Sequence, residues 1–318
     1  MKIAFSAAVV LCAGALAATC ATAEASAPAT ATAEASAPAT ATAEASPPGP
    51  IPYAYARHYV NGQVSRYAYT EQQTGSPTVT AVARLRSYVR HGIGGEQVRW
   101  VALDSGGQDL SAQARAFPPY HLSLDPRDPN GLALPDTQAA GELQGPVDDL
   151  LTFYVGLSAH TGIGDLHQPG QSRVDPTLLP GDFSNATTPV GQDLVQLTTT
   201  LTRLSARKAT FSSSFQPPPQ GGLTLTQPFM SSPVCGSTPN NFELVRAAGA
   251  QYIALWGCES FTLTTVVDRA SGRIDSVQMA NPLQLDAAVC QDQALTECSP
   301  IPPTTLLRTV QLTRVTGR

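Results

Sequence analysis

Hydrophobic and polar residues alternate along most of the chain after residue 50, and this pattern predicts a mainly β protein. The clearest example is residues 78 to 90. Its apolar side consists of Val79, Ala81, Ala83, Leu85 and Val89, and its polar side of Thr78, Thr80, Arg84, Arg86 and Arg90. Such alternation is typical of an antiparallel strand with one face in solvent. Residues 92 to 95 then predict a turn, and residues 96 to 103 a returning strand.

Two tyrosine-rich segments, residues 53 to 60 and 63 to 70, flank Asn61 and Gly62. An Asn-Gly pair tolerates the positive φ of a tight turn, so the pattern predicts a β-hairpin. This ribbon carries five of the nine tyrosines of the chain. The rings either pack on the body of the domain or form a surface for a ligand or partner. That candidate surface comprises Tyr55, Tyr59, Tyr67 and Tyr69.

The middle of the chain, residues 126 to 193, is acidic and rich in Pro and Gly. We expect long loops there around one amphipathic helix over about residues 147 to 158, because apolar residues recur at helical spacing. The apolar residues of this helix are Val147, Leu150, Leu151, Tyr154 and Leu157.

The last third of the chain returns to β-like sequence. Candidate strands are residues 194 to 204, 209 to 215, 251 to 256, 261 to 268, 274 to 279 and 306 to 315, and residues 284 to 295 fit a short helix or a loop. The order of elements predicts an α+β fold that is mainly β, a curved antiparallel sheet or half-barrel with one central helix. We expect one β-rich domain over residues 51 to 318.

The N-terminal residues predict export. Lys2 precedes a short apolar stretch that is typical of a signal peptide over residues 1 to 23. Residues 24 to 50 continue a decapeptide repeat of Ala, Thr, Glu, Ser and Pro, which lacks the apolar bulk to fold and predicts a disordered linker. We expect a periplasmic or secreted protein without a transmembrane helix in the mature chain. Lipidation at Cys20, which would make an outer-membrane lipoprotein, is the alternative.

Composition and charge exclude one class of partner. The formal charge is −5 and the chain has no basic run, so nothing predicts binding to nucleic acid by counterion release. Four arginines form a basic stripe on the polar face of the first strands, namely Arg84, Arg86, Arg90 and Arg99. Two interpretations stay open for this stripe: an anion site, or a solvated face with Glu96 as the acidic partner.

Four of the six cysteines fall in the last third, namely Cys235, Cys258, Cys290 and Cys298. In an exported protein an even set of cysteines predicts two disulfides. Three pairings are possible, and the local ones, Cys235 with Cys258 and Cys290 with Cys298, are favoured. A zinc site is the alternative, but no CxxC spacing occurs.

Catalytic and cofactor motifs are sparse. Gly156 to His160 begins like a nucleophile elbow but lacks the final glycine, and no phosphate-binding loop or HExxH motif occurs. The densest polar cluster is His160, Asp165 and His167. These residues suit either acid–base or metal chemistry, or simply an exposed acidic loop. We therefore expect no cofactor and no metal, and a non-enzymatic protein is favoured.

The order of strands and helix, with turns such as that in residues 266 to 274, resembles the half-barrel of LolA-like periplasmic carriers. The resemblance implies an apolar cavity between sheet and helix that shelters a lipid or an acyl chain. Three hypotheses follow: an envelope protein that binds an apolar ligand, a stalked domain that contacts another envelope protein, and a hydrolase that uses the region of His160, Asp165 and His167.

Overall fold

A computed structural model describes most of the chain after residue 54. The described residues are 55–133, 135, 140–158, 163–174, 181–183, 188–217, 223–224, 230, 238–247 and 251–315. The predicted signal peptide, the repeat linker and Cys20 lie outside these residues.

The described residues form fifteen strands, two α-helices and two short 3₁₀ turns. The first eight strands are β1 Val64–Gln73, β2 Val79–Arg90, β3 Ile93–Ser105, β4 Gln108–Asp109, β5 Tyr120–Leu122, β6 Ser172–Val174, β7 Gly181–Phe183 and β8 Val190–Asp193. The others are β9 Thr198–Leu204, β10 Lys208–Phe215, β11 Asn241–Arg246, β12 Tyr252–Glu259, β13 Phe261–Asp268, β14 Arg273–Cys290 and β15 Cys298–Val315. The helices are α1 Ser111–Ala116 and α2 Gln144–Val155, and the 3₁₀ turns are Gly141–Leu143 and Ile163–Asp165. The mainly β prediction is confirmed.

All strands join one open antiparallel sheet that forks at β14. The long path runs β4-β3-β2-β1-β15-β14-β12-β11-β8-β7. β14 has 18 residues and pairs with β15 over most of its length. On its other edge, its first half pairs with β13 and its second half with β12. The sheet therefore has two branches: β13, β10, β9 and β6 form one, and β12, β11, β8 and β7 form the other.

The turn between β2 and β3 lies earlier than predicted. His91 and Gly92 have φ values of 50° and 79°, which suit the two central positions of a tight hairpin turn. Gly94 and Gly95 are instead part of β3. A Cβ atom would overlap the Tyr59 ring at Gly94 and the Tyr88 ring at Gly95, so these glycines allow the close approach of an aromatic side chain on each face.

The predicted hairpin around Asn61 and Gly62 is wrong. Residues 55 to 60 form no strand, and β1 pairs with β2 and β15 instead. The turn itself is real: Gly62 has a φ of 80°, and its backbone N–H donates to the Ser87 carbonyl. The alternation that predicted a strand reflects Tyr55 and Arg57, which point into the core.

Helix α2 begins at Gln144 and ends at Val155, about three residues earlier at each end than predicted. Pro146 is compatible with this start because the first turn of a helix has no N–H partners to lose. Eight of the twelve helical residues are buried, so the helix is enclosed on more than one face. Val147 and Leu150 are fully buried in a single core with Tyr67 and Leu85 of the sheet.

The last two strands, β14 and β15, are longer than the sequence predicted. We expected a helix or a loop over residues 284 to 295. This prediction is wrong for residues 284 to 290, because β14 continues to Cys290. The prolines at 302 and 303 are accommodated by a shift of register, with Leu285 opposite Thr304 and Ala287 opposite Ile301. Among the described residues, no helix combines the length and the apolar character that a membrane span requires.

Candidate functional site

The tyrosines singled out from the sequence are mostly core residues. Tyr55, Tyr67 and Tyr69 are at most 3% exposed. Their hydroxyls donate to the Leu166 carbonyl (2.6 Å), the Ile274 carbonyl (3.0 Å) and the Asp149 carboxylate (2.6 Å), respectively. Tyr59 lies over Gly94, and its hydroxyl accepts the Leu124 N–H at 2.8 Å. The buried rings of Tyr55, Tyr67 and Tyr69 therefore pack on the body of the domain, which is one of the two alternatives that the sequence left open. They do not form a surface for a ligand or partner.

The predicted polar cluster does not come together in the described residues. Asp165 is exposed and pairs with Arg173 at 3.1 Å, and His167 is also exposed. His160 lies outside the described residues. Across the described part of the chain, no group of three His, Cys, Asp or Glu side chains is arranged to hold a metal ion.

The structure contains the predicted disulfide between Cys290 and Cys298, which joins the end of β14 to the start of β15. Cys258 is also disulfide-bonded. Its predicted partner, Cys235, lies outside the described residues.

Exposed arginines occupy neighbouring strands on the outer face of β1, β2 and β3. Arg66 lies directly opposite Arg84, and Arg84 directly opposite Arg99. Opposite residues on paired strands have Cα atoms about 5 Å apart, so the three cations form a row about 10 Å long. The sequence identified Arg84 and Arg99 but missed Arg66, because the hairpin prediction gave β1 the wrong neighbours.

A second row runs parallel to the first, two residues further along β2. Arg86 lies opposite Val64 on β1 and Gln97 on β3, and Gln97 lies opposite His121 on β5. His121 was also missed, because β5 is too short for a strand pattern. We call the exposed arginines of these strands, Arg66, Arg84, Arg86, Arg90 and Arg99, the arginine face.

The arginine face has no acidic partner among the described residues: none of its five side chains takes part in an ion pair there. Glu96, the expected partner, is 1% exposed and points to the opposite side of β3. Its carboxylate accepts hydrogen bonds from Arg57 Nη2 at 2.5 Å, from Ser87 Oγ at 3.1 Å and from the Tyr154 hydroxyl. The interpretation of a solvated stripe neutralised by Glu96 is therefore wrong.

A half-open cleft of about 580 Å³ adjoins the second row. It is lined by Asn61, Arg86, Ser87, Tyr88, Val89, Arg90, Gln97, Pro119, Tyr120 and His121. The Arg90 guanidinium lies 5.2 Å from the centre of the Tyr88 ring, a cation–π contact. The volume is within the usual range of ligand sites, and two arginines and a histidine make the cleft suitable for an anion.

A buried salt-bridge cluster attaches α2 to the sheet. Arg308 of β15 contacts Glu71 of β1 at 2.6 Å and Asp149 of α2 at 2.6 Å. The Tyr69 hydroxyl lies within hydrogen-bond distance of both carboxylates, 2.7 Å from Glu71 Oε2 and 2.6 Å from Asp149 Oδ2. Burial raises the pKa of Asp149, and the Arg308 guanidinium opposes that shift. The charged side chains of this cluster bind one another, which is typical of a structural role.

Three further buried carboxylates lie on one branch of the sheet, namely Asp193 of β8, Glu243 of β11 and Glu259 of β12. Burial raises the pKa of Glu259 to about 8, and the neighbouring Asp193 adds to the shift. Burial, followed by repulsion from Glu259, raises the pKa of Glu243 well above its usual range. Glu259 accepts hydrogen bonds from Asn281 (3.0 Å) and Asn241 (3.4 Å), whereas Glu243 Oε1 is buried without a partner.

Comparison with known proteins adds no further assignment. No family model, curated protein or solved structure matches the chain. The resemblance to LolA-like carriers therefore stays a prediction. Of the arrangements above, the arginine face and its cleft are accessible and charged, and the arginines make no ion pair within the described part of the chain. They form the candidate functional site.

Proposed function

We propose that this chain is an exported binding domain that docks on a polyanionic surface through the arginine face. The observation that carries the proposal is the row of Arg66, Arg84 and Arg99 on three adjacent strands. Like charges directly opposite each other destabilise a sheet. Sequences tolerate such local conflicts mainly where a function requires them, and a bound polyanion would relieve this one.

The charge distribution of the chain supports a specific rather than a general attraction. The net charge is −5, so the protein as a whole repels anions. The local concentration of cations in the arginine face, which makes no ion pair among the described residues, opposes that repulsion at short range. Because such attraction is screened over about 8 Å at physiological ionic strength, binding should depend strongly on salt.

The two other hypotheses have less support. An apolar ligand needs space between α2 and the sheet, and within the described residues this space is filled by core side chains such as Leu150, Tyr154 and Leu85. The hydrolase hypothesis depends on His160, Asp165 and His167. Asp165 and His167 are exposed, Asp165 pairs with Arg173, and His160 lies outside the described residues.

The proposal is tested by retention on immobilised heparin, used as a generic polyanion. We expect the purified protein to be retained at low salt and released as salt rises. The double variant Arg84→Gln/Arg99→Gln should elute at clearly lower salt, because each lost cation weakens binding by about fivefold.

The matched control is Arg203→Gln/Arg207→Gln, which removes two exposed arginines outside the arginine face and changes the net charge equally. This control should elute like the unmodified protein. Equal shifts for both double variants, or no retention of the unmodified protein, would show that the arginine face is not a binding site.

A further inference from the structure

Exposed apolar side chains collect beside the arginine face. Val60, Val64 and Val315 are 59%, 43% and 45% exposed, and we call these three residues the valine edge. The turn that carries Val60 is held to β2 by the hydrogen bond from the Gly62 N–H to the Ser87 carbonyl. Val64 lies directly opposite Arg86.

The exposed apolar residues of the domain are not scattered singly over its surface. The described residues contain seven exposed large apolar side chains, namely Val60, Val64, Val89, Val174, Ile301, Leu307 and Val315. Three of them lie on or next to the arginine face: Val64 is directly opposite Arg86, Val315 is directly opposite Arg66, and Val60 lies in the turn held to β2. Strand alternation places Val89 on the other side of β2. Single exposed apolar residues need no explanation, but a group of them beside a charged site indicates an interaction surface.

The valine edge borders the cationic cleft. Val64 is directly opposite Arg86, and Asn61 follows Val60 in the chain. Arg86 and Asn61 both line the cleft, together with Arg90 and His121. Apolar side chains therefore project next to a recess whose charge is positive. A soluble polyanion would interact with the arginines but would leave these valines in water.

We propose that the cleft and the valine edge dock on a lipid bilayer, with a headgroup phosphate in the cleft and the valines in the interfacial layer. This inference rests on the proposed function and names its partner. Cations beside apolar side chains match the two layers of a membrane surface, in which phosphates lie directly above the acyl boundary. Arg86 and Arg90 supply N–H donors for phosphate oxygens.

Co-sedimentation with vesicles tests the inference. We expect the purified protein to bind vesicles of phosphatidylcholine and phosphatidylglycerol, and to bind pure phosphatidylcholine vesicles much more weakly, since each arginine near an anionic surface contributes about fivefold. Val60→Ser/Val64→Ser should reduce vesicle binding by about tenfold, because the serines no longer gain from leaving water. The same variant should keep its retention on heparin.

The matched control is Ile301→Ser/Leu307→Ser, which removes two exposed apolar residues of β15 away from the valine edge. This control should bind vesicles like the unmodified protein. An unmodified protein that is retained on heparin but ignores both vesicle types would overturn the membrane inference and leave the proposed function in place, with a soluble polyanion such as an acidic glycan as its partner.

Two other results would decide between the proposed function and the membrane inference. If the unmodified protein binds neither heparin nor vesicles, the proposed function itself is wrong. If it binds anionic vesicles and the valine variant binds them equally well, the arginines alone account for attraction and insertion of the valine edge is wrong. Circular dichroism on both serine variants verifies that they are folded, and the results with the unmodified protein do not depend on them.

Discussion

Glu96 points into the core, and the arginine face therefore lacks its negative charge. It lies between Gly95 and Gln97 on β3, and strand alternation places it on the same side as Val98 and Trp100, which are buried. Its carboxylate therefore neutralises Arg57 in the core and is unavailable to the arginine face. The alternation of Glu96 with Val98 and Trp100 was present in the sequence and could have predicted this orientation. The partner could not be predicted, because Arg57 lies 39 residues away on a segment that was expected to be a strand.

Removal of the Glu96 carboxylate should destabilise the domain strongly. In Glu96→Ala, the guanidinium of Arg57 stays buried without its counter-charge, and the Tyr154 hydroxyl loses its acceptor. Breaking a buried pair on one side costs about 3–5 kcal/mol of the free energy of unfolding. Urea denaturation of the variant measures this loss.

The exposed pair of Asp165 and Arg173 provides the comparison. Asp165→Ala should change the free energy of unfolding by less than about 1 kcal/mol, because solvent already screens that pair. Similar values for the two variants would mean that Arg57 gains another partner or reaches water when Glu96 is absent.

At the level of elements, the sequence predicted strands well where alternation is local and failed where pairing is distant. β2, β3 and the end of β15 were recognised from their own pattern. The second half of β14 was not, because Asn281 and Pro282 interrupt the pattern and only pairing with both β12 and β15 keeps this segment extended. The forked sheet has no local signal, since it depends on β14 being long enough to pair with two strands in succession.

The disulfide between Cys290 and Cys298 should hold the far end of this long hairpin together. It closes a loop with a sequence separation of 8 residues, and Cys290 is fully buried. Chain-entropy arguments assign a loop of this size about 2–3 kcal/mol. Cys290→Ala/Cys298→Ala should therefore lower the free energy of unfolding by about that amount in urea.

Hydrogen exchange locates the effect of the same double variant. Amides at the joined ends of β14 and β15 should exchange faster, whereas those of β2 and β3 should change only as much as global stability does. Unchanged protection at the ends of β14 and β15 would show that strand pairing alone maintains this end of the hairpin.

Across the whole molecule, charges of opposite sign are separated between surface and interior. The exposed arginine face is positive, while one branch of the sheet encloses the buried acidic side chains Asp193, Glu243 and Glu259. Arg308 is the charge that opposes the raised pKa of Glu259, and it is already paired with Glu71 and Asp149. Burial raises the pKa of both Glu243 and Glu259, which favours their protonated forms in this branch.

Stability should consequently fall as pH rises. The pKa of Glu259 is about 8 in the folded protein and 4.5 as its ordinary value, so between these limits the folded state holds a proton that the unfolded state has released. Folding is most favoured by this group below pH 4.5, and its contribution is lost progressively up to about pH 8. Glu243 shifts in the same direction.

Glu259→Gln tests this linkage, because glutamine keeps the shape of the protonated acid and does not ionise. Relative to the unmodified protein, the variant should gain more than about 1 kcal/mol in free energy of unfolding for each pH unit across the middle of this range. Urea denaturation at a series of pH values between 5 and 9 measures the difference. If the Glu259→Gln curve runs parallel to that of the unmodified protein, Glu259 is already ionised in the folded state and must be stabilised by hydrogen bonds from Asn281 and Asn241.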